Sequence, residues 1–100
     1  MIVKHLAWRI SASLEKVGGA LEGLLRAGDW NVGYLDPPTG QLSATRRGWF
    51  GVRELNFSLN AEGSETVVEL AYRIKEAELV ILREHLEERL GCLVVDLRET

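Results

Sequence analysis

Apolar and polar residues alternate with a period of two at the start of the chain. Ile2, Leu6, Trp8 and Ile10 fall on one side with Lys4, and Val3, His5, Ala7 and Arg9 fall on the other. This pattern predicts a strand over 2–10 with one buried face. The period then lengthens: Leu14, Val17, Leu21, Leu24 and Leu25 recur at helical spacing behind Ser11 and Ser13, whose hydroxyls suit a helix N-cap. Gly28 is placed to close that helix as its left-handed residue. Gly18, Gly19 and Gly23 sit inside it, each at a cost of about 1 kcal/mol against alanine. Their retention predicts close approach of the helix to a sheet.

Alternation returns at Trp30, Val32 and Tyr34, and Asp36-Pro37-Pro38-Thr39-Gly40 must then turn, since proline cannot donate to a ladder. Leu42 and Ala44 mark a third strand. Gly48 and Gly51 bracket Trp49-Phe50 in a tight hairpin loop or bulge. A fourth strand turns Leu55, Phe57 and Leu59 inward, and Asn60-Ala61-Glu62-Gly63 has the composition of a type I turn. Val68, Leu70, Tyr72 and Ile74 define a fifth. Residues 75–90 read as a second helix with Leu79, Leu82, Leu86 and Leu90 on one face, ended by Gly91. Leu93 to Leu97 suit a short closing strand.

The order is therefore β-α-β-β-β-β-α, with a final β. Tight turns make the sheet antiparallel, and one apolar face per strand places both helices on the same side. The expected class is a single α+β domain, a two-layer sandwich with a curved sheet, like the helix-grip and TATA-binding-protein-like folds. A ferredoxin-like fold is the alternative; it needs a helix between the third and fourth strands.

The stretch Gly28-Asp29-Trp30 … Gly40-Gln41-Leu42-Ser43-Ala44-Thr45 … Trp49-Phe50-Gly51 … Thr66-Val67-Val68 resembles the pattern of a small bacterial family of unknown function. That resemblance implies no mechanism.

Composition narrows the function classes. At 46% hydrophobic and 27% charged the chain of 100 residues is globular, without an apolar run of the roughly 18 residues that span a bilayer. The N-terminus has no secretory pattern and Cys92 is alone, which fits a reducing, cytoplasmic setting. Net charge is −3, which argues against a general nucleic-acid or membrane-surface binder. The first sixty residues nevertheless hold seven basic and five acidic side chains, against five and ten in the remainder.

No catalytic, cofactor or metal pattern emerges. Cys92 follows a helix C-terminus, where the dipole disfavours a thiolate, and reads as buried and inert. His5 and His85 have no clustered partners, and metal ligands at usable spacing are missing. An enzyme would show itself by His5 or Asp96 titrating abnormally in a cleft. Glu76, Glu78, Glu84, Glu87 and Glu88 read as a solvated helix face.

Two places remain. Arg46, Arg47, Trp49, Phe50 and Arg53 gather at one strand-loop-strand corner, a composition suited to a protein interface and also to nucleic acid, unless the aromatics only close the core. Trp8, Trp30, Tyr34, Phe57 and Tyr72 suit the lining of a pocket between helix and sheet, unless they fill the core. The leading expectation is a non-enzymatic binding or interaction module that self-associates or takes a protein partner. The alternatives are a carrier of a small hydrophobic or lipid ligand, and nucleic-acid binding through Arg46, Arg47 and Arg53.

Overall fold

The structure, a computed structural model, describes residues 3–36, 40–48 and 51–99, except for the side chains of 34–36 and 99. Its elements follow the predicted order: β1 (Lys4–Ile10), α1 (Leu14–Ala27), β2 (Asn31–Asp36), β3 (Gln41–Gly48), β4 (Gly51–Glu62), β5 (Glu65–Arg73), α2 (Glu76–Leu90) and β6 (Val94–Asp96), with a 3-10 turn at Leu97–Glu99. The strands form one antiparallel sheet, ordered β2-β3-β4-β5-β1-β6 and open at both edges. The closing strand belongs to this same sheet, with Ile10 opposite Val94 and Trp8 opposite Asp96.

Strands β2 to β5 form a meander, but β1 lies between β5 and β6. Four strand spacings separate β1 from β2, about 19 Å. The 14-residue α1 is about 21 Å long. It runs back diagonally across the intervening strands to join them.

The inner face is built by parity. Leu6, Trp8 and Ile10, Leu42 and Ala44, Leu55, Phe57 and Leu59, and Val68, Leu70 and Tyr72 pack with Val17, Leu21 and Leu25 of α1 and Leu79 and Leu86 of α2 in one buried cluster. Both helices thus cover the same face of the sheet. Lys4, the polar member of the inner set in β1, stays exposed and reaches Glu76 at the start of α2, 3.9 Å away.

Local differences from the sequence reading have physical causes. The β3–β4 connection is a two-residue hairpin, since Gly48 pairs with Gly51; no ferredoxin-like helix fits there. Strand β4 runs on through Asn60 to Glu62, which pairs with Glu65, so the turn is Gly63-Ser64 rather than Asn60–Gly63. Gly63 takes φ 64 at the first central position of that turn, where a primed hairpin turn requires glycine.

The end of α1 also shifts by one residue. Gly28 has φ −91, and the left-handed residue is Asp29 at φ 63. Asp29 N–H donates to the Arg26 carbonyl at 3.1 Å and Trp30 N–H to the Leu25 carbonyl at 3.0 Å, the paired bonds of a Schellman closure. Nor do the helical glycines mark close approach to the sheet. A Cβ on Gly18 would meet Leu59 at an ordinary 3.7 Å and one on Gly19 would meet nothing within 4 Å; only Gly23 is crowded, by the Arg89 guanidinium of α2 at 2.5 Å.

Gly40 is different. At φ 72 it accepts from Leu59 N–H at 3.0 Å, and a Cβ there would come within 2.6 Å of the Leu59 carbonyl oxygen. Glycine is therefore what lets the β2–β3 turn seat against β4. Fully buried Thr66 ties β5 to the β1–α1 corner by donating to the Ala12 carbonyl at 2.8 Å.

Two substitutions check this account in thermal or urea unfolding. Gly19→Ala gains up to about 1 kcal/mol, because the site is open and helical. Thr66→Val loses about 1–3 kcal/mol by leaving the Ala12 carbonyl unpaired.

Candidate binding cleft

The inner face runs out of apolar residues toward the Gly48–Gly51 end of the sheet. Ala44 and Leu55 are the last apolar pair of β3 and β4, and the next pair on the same face is Arg46 opposite Arg53. Like charges directly opposite repel, and each arginine has its own partner. Arg53 donates to Glu78 of α2 as an ion pair. Arg46 donates to the Gly28 carbonyl at 3.0 Å and lies over the Trp30 ring, 4.8 Å from its centroid. The Schellman closure of α1 sets up this contact, for it leaves Trp30 directly after the helix and the Gly28 carbonyl facing β3.

These residues frame a cleft of about 240 Å³ between the two helices and the sheet. Leu24 and Leu25 of α1, Trp30, Leu55, Ile74 and Leu82 supply apolar walls, and Arg46, Glu78 and His85 supply polar ones. Glu78, Ile81, Leu82 and His85 follow one another at helical spacing along the flank of α2. Ile81 is 53% exposed. One oxygen of Glu78 meets Arg53; the other, Oε2, is buried and has no partner among the described residues.

The two groups of residues expected from sequence are redistributed. Arg46 lines the cleft and Arg53 is tied to it through Glu78, but Arg47 has the opposite parity, sits across from Val52 and is exposed on the helix-free face. The three arginines therefore do not share a surface. Trp49 and Phe50 lie outside the described residues. Of the expected pocket lining, Trp30 borders the cleft, whereas Trp8, Phe57 and Tyr72 are 1%, 2% and 1% exposed and fill the core. Tyr34 lies on β2 opposite Leu42; its side chain is outside the described ones. Glu78 and His85, set aside in the sequence as solvated or isolated, belong to the cleft. Glu87 is also engaged, accepting from Val94 N–H at 2.9 Å and so tying α2 to β6. Cys92 is half-buried against the core as a free thiol.

A second polar cluster lies at this same end of the strands, on the β5–β1–β6 side of the sheet. Asp96, whose side chain is 3% exposed, accepts from Arg98 Nη2 at 2.8 Å and from its Nε at 3.2 Å, and Arg98 Nη1 donates to the Tyr72 hydroxyl at 3.1 Å. The Tyr72 hydroxyl in turn donates to Glu76 at 2.6 Å. The Arg98 side chain, bonded to both carboxylate oxygens, holds Asp96 below the usual carboxylate range in spite of its burial. Burial, and then the bond to Glu76, raise the Tyr72 phenol. Asp96 is thus an anion clamped by its neighbour, which suits anchoring of β6 rather than proton transfer.

The helix-free face holds a larger concavity of about 580 Å³. His5, Ala7, Gln41, Asn56, Ser58, Glu69 and Ala71 present short or polar side chains there, while Leu6, Leu42, Phe57 and Leu70 contribute from a backbone whose side chains are buried on the other face. No large apolar side chain is exposed there. Among the described residues no three His, Cys, Asp or Glu side chains gather as a metal ion would need, and no helix is long and apolar enough to cross a membrane.

No protein-family model matches the chain, and no curated protein is significantly similar to it. The resemblance of residues 28–68 to a small bacterial family therefore adds nothing to the geometry.

The Asp96 clamp has a signed pH dependence. A depressed carboxylate adds stability that is complete above its unfolded value, about 4, and is lost as pH falls through the lower folded value. Asp96→Asn should cost about 1–3 kcal/mol at pH 7, and the gap in urea midpoint between variant and parent should narrow as pH falls below the unfolded value of about 4. The raised Tyr72 phenol adds stability below its usual value of 10.0; this contribution is lost as pH rises beyond that. Tyr72→Phe should accordingly flatten the alkaline limb.

Proposed function

We propose that this domain is a non-enzymatic binding module that holds a small amphipathic molecule in the cleft between Trp30, the C-terminal half of α1 and the flank of α2. The observation that carries this reading is the composition of the cleft. Leucine, isoleucine and tryptophan side chains border an opening beside the buried core, and a few polar groups converge on it. Small-molecule sites have this constitution: apolar walls for affinity and a few placed polar groups for orientation. The helix-free concavity is larger but lacks such walls. The lone half-buried thiol of Cys92 suits a reducing, cytoplasmic setting.

The test uses a neutral probe so that only apolar burial is read. 1-Octanol titrated into methyl-labelled protein should shift the Leu24, Ile74, Ile81 and Leu82 methyls and the Trp30 indole signal saturably. Leu82→Asn should weaken its binding about tenfold or more, since a buried leucine contributes about 1.5–3 kcal/mol. Shifts confined to His5, Ala7 and Ala71 would move the site to the helix-free face, and no saturable shift anywhere would end the proposal.

Self-association is the second reading. It rests on the β6 edge, where Leu93 is 76% and Val95 46% exposed beside unpaired backbone. Sedimentation should then give a dimer that Val95→Lys converts to monomer. A monomer at millimolar concentration would exclude it.

A further inference from the structure

We infer that the molecule taken by this cleft is a monocarboxylate, a small organic acid with a short apolar tail or a single ring, and that Arg46 is the residue that receives its carboxylate. The inference rests on the cleft reading above and adds the charged end of the ligand.

Charge is the first reason. One guanidinium, Arg46, and one carboxylate, Glu78, line the cleft, and Glu78 is already committed to Arg53. The remaining positive charge is that of Arg46. It is half-buried, so its field in the cleft is less screened than that of an arginine standing in water.

Geometry is the second. A guanidinium carries five N–H donors in a rigid plane. One donor of Arg46 goes to the Gly28 carbonyl, and stacking on Trp30 fixes the plane. The plane is therefore oriented before any ligand arrives, and its other N–H groups have no partner among the described residues. Parallel N–H donors match a carboxylate bidentately, which a hydroxyl or an amine does not exploit.

Size is the third. A volume of about 240 Å³ lies between an apolar cavity of roughly 150 Å³ that takes benzene and the roughly 300 Å³ at which drug-sized ligands begin. One ring or a chain of about eight carbons fits that interval. The opposite ligand, an organic cation, would look to Glu78. Its free oxygen is buried out of reach of solvent, however, and its charge is already met by Arg53.

The experiment compares octanoate, 1-octanol and octylamine, which share one tail, by NMR titration at pH 7.5 and fixed ionic strength. In the parent protein octanoate should bind about tenfold more tightly than octanol, and octylamine more weakly than either. In Arg46→Met, which keeps an apolar stem over Trp30, octanol affinity should hold while octanoate falls to within twofold of it. Arg46→Lys keeps the charge without the fork and should retain a preference of threefold or more; it decides the matter if the methionine variant does not fold. Octanol binding with octanoate no tighter overturns the carboxylate inference and leaves the cleft reading intact. So does an octanoate preference that survives in Arg46→Met, or octylamine binding most tightly. If none of the three binds, both fall together.

Discussion

One helix has to join two parallel strands that lie four positions apart in the sheet, and much of the molecule follows from how it does so. The 14 residues of α1 are about as long as the sheet is wide between β1 and β2. The helix therefore cannot run past the β2 edge and must stop there and reverse. It stops by putting Asp29 into the left-handed region, which lets Trp30 N–H return to Leu25 and leaves the Gly28 carbonyl open to Arg46. The indole that follows becomes both the last piece of the apolar layer and the platform for a cation. The cleft is thus a by-product of terminating a helix over the end of a sheet whose inner face has turned from apolar to charged.

Charges on that inner face are handled at two places along one end of the strands, the β3–β4 side and the β5–β1–β6 side. At one, Arg53 meets Glu78 and Arg46 is spread over an indole and a carbonyl. At the other, Lys4, Tyr72, Glu76, Asp96 and Arg98 share contacts around the start of α2. The difference lies in saturation. The Asp96 cluster uses both carboxylate oxygens and the phenol internally, so it fastens β6 and the turn after it to β5 and α2. The Arg46 corner leaves guanidinium N–H groups and a length of apolar wall without a mutual partner among the described residues, which is the condition under which a small solute gains by entering.

Period and parity made the framework legible from sequence alone: the element order, both helices on one face, and Leu55, Phe57 and Leu59 or Val68, Leu70 and Tyr72 as core. Parity also contained the separation of Arg47 from Arg46 and Arg53. Grouping them as neighbours in sequence overlooked that adjacent strand residues point to opposite faces. Other features were out of reach. Whether Trp8 and Tyr72 line a cavity or fill the core depends on how closely α1 and α2 settle, which hydrophobicity does not encode. Glu78 and His85 had the spacing of a shared helix flank with Ile81 and Leu82, yet Glu-x-x-Ile-Leu-x-x-His reads the same on a solvated helix. Gly28 was the better left-handed residue by type, and Asp29 took the role because the return of Trp30 to Leu25 fixed the position.

The placement of β1 between β5 and β6 also bears on how the chain reaches this state. On the ribosome β1 is made first and both of its sheet neighbours are made last, with Lys4 waiting for Tyr72 and Trp8 for Val68 and Asp96. The β2–β5 meander can zip through short loops as it emerges, whereas β1 has to close a loop of some sixty residues before it is paired. Until then Leu6, Trp8 and Ile10 are a nascent apolar strand with two open edges, the kind of segment that holding chaperones shield.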